Sequence, residues 1–172
     1  LITDIMNRVY GVSAARRIVL AGFFMGIICS LIGTQVVLQG DGYTFPAVTL
    51  RVAVGSGSAF LIAQMLDVQI FDRLRTGAWW RAPLTSTLVG SALDTLIFFS
   101  ISFSAIFNWL DTTNIPDWAQ SAVPLVGTGP ELPLWASLAF ADWLVKLTLA
   151  LVALIPFRIL AQYLVVRTVK TH

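Results

Sequence analysis

The sequence predicts an all-α, polytopic helical membrane protein, and three observations predict it. Of 172 residues, 57% are hydrophobic and only 12% are charged, where a soluble domain carries roughly 25% charge. The mean hydropathy of +0.82 is more apolar surface than a soluble monomer of this length can hide. Four stretches, residues 18–38, 47–66, 84–106 and 134–156, each reach the about 20 apolar residues a helix needs to cross a bilayer. Nothing alternates with the period of a barrel strand, so helices are the expected spanning form. The same composition excludes a disordered or collagen-like chain. A disulfide scaffold is excluded too, because Cys29 is the only cysteine.

In chain order, residues 1–10 form a short apolar stretch without the charged start and cleavage site of a signal peptide. They read as the tail of an earlier span, with one or more N-terminal spans missing, so that residues 1–172 are a single integral membrane domain. The connection after the first span holds Gly40, Asp41, Gly42 and Pro46; the next runs from Arg73 to Pro83, and the third from Asn108 to Pro133. No repeat of fixed period and no low-complexity segment is visible.

Orientation follows from the loops. Arg8, Arg16, Arg17, Arg73, Arg75, Arg81, Arg158, Arg167 and Lys170 all fall in the first, third and fifth non-spanning segments. The second and fourth hold only acids: Asp41, Asp111, Asp117 and Glu131. The positive-inside rule therefore puts both ends of the chain, the C-terminus included, in the cytoplasm of a multi-pass protein. Trp79 and Trp80 on the inner side, with Trp109 and Trp135 on the outer, occupy the places of interfacial aromatic belts.

Four ionisable residues lie inside the spans: Arg51, Asp94, Asp142 and Lys146. Translocon scales price a charged residue near mid-membrane at about 2.5 to 3.5 kcal/mol, so such residues face the protein interior. Asp142 and Lys146 are four apart with the acid first, the favourable order for a same-face pair. They form either a structural ion pair or a polar site for a solute or proton, and charge at this depth is more often functional. Asp94 shares its helix with Ser86, Thr87, Gly90, Ser91, Thr95 and Ser102 at spacings of three and four. That stripe is either packing glue or a lined pathway. Gln64 and Asp67 close the second span at the cytoplasmic edge, three residues apart on one face.

Gly55 to Ala59, and Gly22, Gly26, Ser30 and Thr34, read as packing seams. Cys29 and the Met residues read as lipid-facing or core filler, and His172 as a terminal residue without a partner. No Gly-x-Ser-x-Gly elbow, phosphate loop or His-Glu-x-x-His is present, so an enzyme is not expected, nor a metal or cofactor. The basic segments are short inner loops that call for no nucleic acid.

Several runs in this chain carry a resemblance. They are Arg51-Val-Ala-Val, Gln64-Met-Leu-Asp67-Val-Gln-Ile-Phe71-Asp-Arg73-Leu-Arg75, Trp79-Trp80, Ser86-Thr87-Leu and Asp94-Thr95-Leu-Ile-Phe98-Phe99. In this order they resemble the queuosine precursor transporter family, also described as vitamin uptake transporters. Thr3-Asp4 with Gly11 and Ala15-Arg16-Arg17 looks like the family's segment before its third span, and Asp142-Trp-Leu-Val-Lys146 with Pro156 like its last.

The resemblance implies a six-span transporter, of which the four spans here are the last four. It implies a secondary-type importer, working by alternating access in a bacterial inner membrane. The cargo would be 7-cyano- or 7-aminomethyl-7-deazaguanine, the precursor of the queuosine of tRNA. A guanine-type edge presents N1–H and a 2-amino group side by side, which a carboxylate can accept together. Asp94 and Asp142 are then the substrate or proton acids, with Lys146 holding a carboxylate charged. Trp143 and Phe98 can stack on the flat base, and Arg51, Gln64 and Asp67 are second-rank site or gate residues. The expected partners are this purine-like substrate and the lipid bilayer, with self-association left open. The rival reading is a substrate-capture or structural subunit of a larger uptake complex.

Overall fold

In the computed structural model, residues 2–40 and 42–170 are described. Asp41 and His172, read above as a loop acid and an unpartnered terminus, lie outside the described residues, as do the side chains of Tyr43 and of residues 160–170. The order is α1 (Ile2–Tyr10), α2 (Val12–Gln35), β1 (Val37–Gly40), β2 (Tyr43–Pro46), α3 (Leu50–Leu74), α4 (Arg81–Phe103), β3 (Ala122–Pro124), β4 (Glu131–Pro133) and α5 (Leu134–Lys170). Among the described residues four helices are long and apolar enough to cross a membrane: Val12–Gln35, Leu50–Leu74, Arg81–Phe103 and Leu134–Ile159. The all-α polytopic fold class is therefore observed.

Local chemistry sets the helix limits. Gly11, at φ +85, ends α1 as glycines in the left-handed region do, and its N–H donates to the Asn7 carbonyl at 3.0 Å. Pro83 stands in the first turn of α4, where a missing N–H costs no helical bond. At the far end of α4, Ser104 starts a 3-10 turn, Ala105–Leu110, by accepting from the Ile106 N–H at 3.4 Å. The connections, expected only as breaker-rich loops, contain two antiparallel hairpins. Val37 pairs with Pro46 and Gly40 with Tyr43, and Ala122 pairs with Pro133.

Two limits differ from the sequence expectation. Helix α3 does not stop at 66 but runs two turns further to Leu74, because Val68 and Phe71 bury apolar side chains there. Gln64 and Asp67 thus lie within the helix rather than closing it, and Asp67 is only 7% exposed. Helix α5 continues through Pro156 to Lys170, as membrane helices with an interior proline can.

The chain divides into two compact units. The first comprises Leu1–Ala21, Leu61–Leu93 and Trp143–His172. Its core is Phe71, Ala82 and Phe157, with Ile5 and Leu74 packed against them, and the Phe71 and Phe157 rings meet edge to face at 6.1 Å. Arg8 donates to the Trp79 carbonyl at 3.5 Å and lies 5.9 Å from the Phe157 ring centroid. Arg158 covers the Trp79 ring at 5.1 Å.

The second unit comprises Gly22–Phe60 and Asp94–Asp142. Glycine allows its helices to approach closely. A Cβ on Gly55 would sit 2.5 Å from the Ser102 hydroxyl and 3.3 Å from the Phe98 carbonyl, and one on Gly33 would sit 2.6 Å from Val48. Charge divides with the units. Among the described residues, Arg51 is the only basic residue of the second, against the acids Asp94, Asp111, Asp117, Glu131 and Asp142. Cys29 is exposed on α2, among the exposed apolar residues Met25, Ile28 and Ile32.

Candidate functional site

In the second unit the acids Asp94 and Asp142 lie on α4 and α5, both half-buried. The Thr95 hydroxyl donates to Asp142 Oδ2 at 2.8 Å, and Thr95 itself is buried. Thr95 follows Asp94 directly, so one turn of α4 holds both a candidate acid and the hydroxyl that anchors the other. At this turn the polar stripe of α4 makes a hydrogen bond across to α5.

Phe98, one turn along α4 from Asp94, belongs to an aromatic cluster. Its ring meets Phe99 at 5.2 Å and Phe103 at 6.0 Å, both edge to face, and Phe103 meets Trp118 at 5.6 Å. The cluster fixes the Phe98 ring from two sides. Gln120 ties the 3-10 turn Asp117–Gln120 to the end of α4 by donating to the Phe103 carbonyl at 2.6 Å.

Arg51 is 1% exposed, and four bonds occupy its guanidinium. Nε and an Nη donate to the Ile101 carbonyl, both at 3.2 Å; the Ser104 carbonyl accepts at 2.6 Å and Asn108 Oδ1 at 2.7 Å. Carbonyls at a helix C-terminus lack intrahelical donors and carry partial negative charge. Arg51 therefore clamps the end of α4 with most of its five N–H donors. Sequence alone made it a candidate ligand, because it shows the charge but not the carbonyls that absorb it.

The first unit holds Gln64 and Asp67 on α3 with Trp143 and Lys146 on α5, all half-buried except Asp67. Asp67 sits against Gly90 of α4, where an added Cβ would lie 3.6 Å from Asp67 Oδ1. The Ser86 hydroxyl of α4 and the carboxyl of Asp4 on α1 lie beside the Asp67 carboxyl, and Ser86 donates to the Pro83 carbonyl at 3.5 Å. Asn7, one turn from Asp4, is fully buried and donates to the carbonyl of Val68, next to Asp67, at 2.8 Å. The eight sequence candidates thus divide evenly, with Arg51, Asp94, Phe98 and Asp142 in one unit and Gln64, Asp67, Trp143 and Lys146 in the other. Asp4 and Asn7 were missed as candidates, although their spacing of three on an apolar helix is the signal that picked out Gln64 and Asp67.

Comparison with known proteins places these residues in context. The family described as "Putative vitamin uptake transporter" matches residues 1–161. A relative named "Probable queuosine precursor transporter" from Haemophilus influenzae is 32% identical over 163 residues, 91% of this chain and 61% of that protein. One named "Queuosine precursor transporter" from Escherichia coli is 37% identical over 110 residues, 60% of this chain and 50% of that protein. A third, "Probable queuosine precursor transporter" of Bacillus subtilis, is 29% identical over 61% of this chain and 52% of its own. The chain thus spans half to three-fifths of the length of these relatives. No solved structure matches.

Proposed function

Because the chain belongs to the vitamin uptake transporter family, we propose that it is the greater part of a secondary importer of a queuosine precursor. The cargo is a 7-deazaguanine base carrying a 7-cyano or 7-aminomethyl group, moved by alternating access across a bacterial inner membrane with the C-terminus in the cytoplasm. Three relatives named as transporters of a queuosine precursor support the coarser part of this reading. The observation that carries it is the bond from Thr95 to Asp142 beside Asp94, a set of acceptors in helices apolar enough to span the membrane.

In this reading one of the two acids accepts N1–H and the 2-amino group of the base together, a pairing that needs two oxygens in one plane. Thr95 holds Asp142 in one rotamer, so less side-chain freedom is lost when the base arrives. Phe98, and Trp143 one residue beyond Asp142, supply aromatic faces on which the base stacks. Lys146, one turn from Asp142 on α5, keeps a carboxylate ionised so that it remains an acceptor. Gln64 is a gate residue of second rank. Arg51 serves the site indirectly, by fixing the end of the helix that carries Asp94 and Phe98.

Uptake of labelled 7-cyano-7-deazaguanine by cells that cannot synthesise it tests the proposal. Saturable uptake that requires the protein is the expected result. Absence of uptake with the protein in the membrane contradicts it. The purified protein in liposomes, without any partner, separates a self-sufficient importer from a capture subunit.

A further inference from the structure

Arginines gather on the surface of the first unit with no negative group exposed beside them. Among the described residues Arg16, Arg17, Arg73, Arg75, Arg81 and Arg158 are exposed there and no acid is. Asp4 and Asp67 are buried, and half-buried Asp72 is bound to Arg75 at 2.9 Å. We propose that Arg8, Arg81 and Arg158, set around Trp79 and Trp80, bind the phosphate of an anionic phospholipid headgroup. The site does not depend on the cargo.

Two helices bring their arginines to one residue of the connection between α3 and α4. Arg8 of α1 donates to the Trp79 carbonyl at 3.5 Å, and the Arg158 guanidinium of α5 lies over the Trp79 ring, 5.1 Å from its centroid. Arg8 also lies 5.9 Å from the ring centroid of Phe157, the neighbour of Arg158 in the chain. Arg81 repeats the arrangement at 5.8 Å from the Trp80 ring. The positive-inside rule asks only that a loop contain arginines. It does not ask that contacts gather them on a tryptophan.

Stacking occupies the flat face of a guanidinium and leaves the N–H donors on its edge. Those donors form a fork that takes two phosphate oxygens at a time. Like charges drawn together repel unless an anion sits among them. The first unit exposes no acid to fill that place, and residues 160–172 contain none.

The surroundings favour a lipid as the source of the phosphate. Trp79 and Trp80 are 36% and 42% exposed, and amphipathic rings of this kind sit at headgroup level. Arg81 and Arg158 lie at the ends of helices apolar enough to cross a membrane. Exposed Leu151 and Ile155 stand seven and three residues before Arg158, which puts them on its face of α5. An acyl chain can follow that face away from the phosphate.

Native mass spectrometry of the intact, detergent-purified protein, titrated with phosphatidylglycerol or phosphatidylcholine, tests the site. Phosphatidylglycerol should bind more tightly than phosphatidylcholine. Arg8→Gln and Arg158→Gln should each weaken its binding by about fivefold, the worth of one arginine at an anionic lipid surface. Arg158→Lys keeps the charge but loses the fork; it should fall between Arg158→Gln and the wild type and controls for misfolding. Joint Arg16→Gln and Arg17→Gln replacement removes more charge from the same unit and should leave binding near wild type. Equal affinity for the two lipids, or an equal loss in the Arg16 and Arg17 variant, means diffuse attraction and overturns the site. Phosphatidylglycerol should also raise the melting temperature where inorganic phosphate at the same concentration does not. An equal rise with inorganic phosphate makes this a free-anion site and overturns the lipid assignment.

Discussion

The residues at issue are carboxyls, and their surroundings assign them different tasks. Asp94 adjoins the Thr95 hydroxyl that anchors Asp142, so replacing it tests recognition without removing that anchor. Asn keeps the size but exchanges one acceptor for a donor, and losing a charge-assisted bond costs on the order of 1.5 to 3 kcal/mol, about ten- to hundredfold in affinity. Asp94→Asn should therefore reach the membrane at the normal level and raise the KM for uptake by about that factor; an unchanged KM passes the role to Asp142. Arg51 should behave otherwise, since its bonds go to Ile101, Ser104 and Asn108. Arg51→Lys cannot reproduce the planar fork, and buried bonds to a charged group contribute about 1.5 to 3 kcal/mol each. Thermal denaturation in detergent should show a clear loss of stability in Arg51→Lys, with the KM of the surviving protein near wild type.

The helices were readable in the sequence to the extent that hydropathy governs them. Four apolar runs became α2 to α5, but α3 outran its run because Asp67, Asp72 and Arg73 lower the mean hydropathy while Val68 and Phe71 still face a core. The hairpins were hidden because Gly40 and Pro46 mark a break in the helical pattern without revealing that Val37–Gly40 and Tyr43–Pro46 pair as strands. The bond from Asn7 to the Val68 carbonyl was invisible because contact between residues so far apart in the chain leaves no local pattern. The seam reading of the small residues holds at Gly55 of α3 but not at Gly26 of α2. A Cβ at Gly55 would meet a main-chain carbonyl and a buried hydroxyl, whereas Gly26 has nothing within 4 Å. Gly55→Ala should thus lower the melting temperature. Gly26→Ala should be neutral or slightly stabilising, since alanine gains up to about 1 kcal/mol in a helix. Equal destabilisation by both would argue against close packing at Gly55.

Across the whole molecule the connecting segments alternate between arginine-bearing and arginine-free, the pattern on which the positive-inside rule acts. In a Cys29→Ala background, a cysteine at exposed Asp117 should react with an impermeant thiol reagent added to intact cells, and one at exposed Thr76 should not. Labelling at Thr76 reverses the orientation. The central claim is import of a deazaguanine base, and the most direct measurement is the queuosine content of tRNA in cells that cannot make the base and are fed 7-cyano-7-deazaguanine at low concentration. The intact protein should restore queuosine and Asp94→Asn, present in the membrane at equal level, should not. Queuosine that stays absent with the wild-type protein in place contradicts the account.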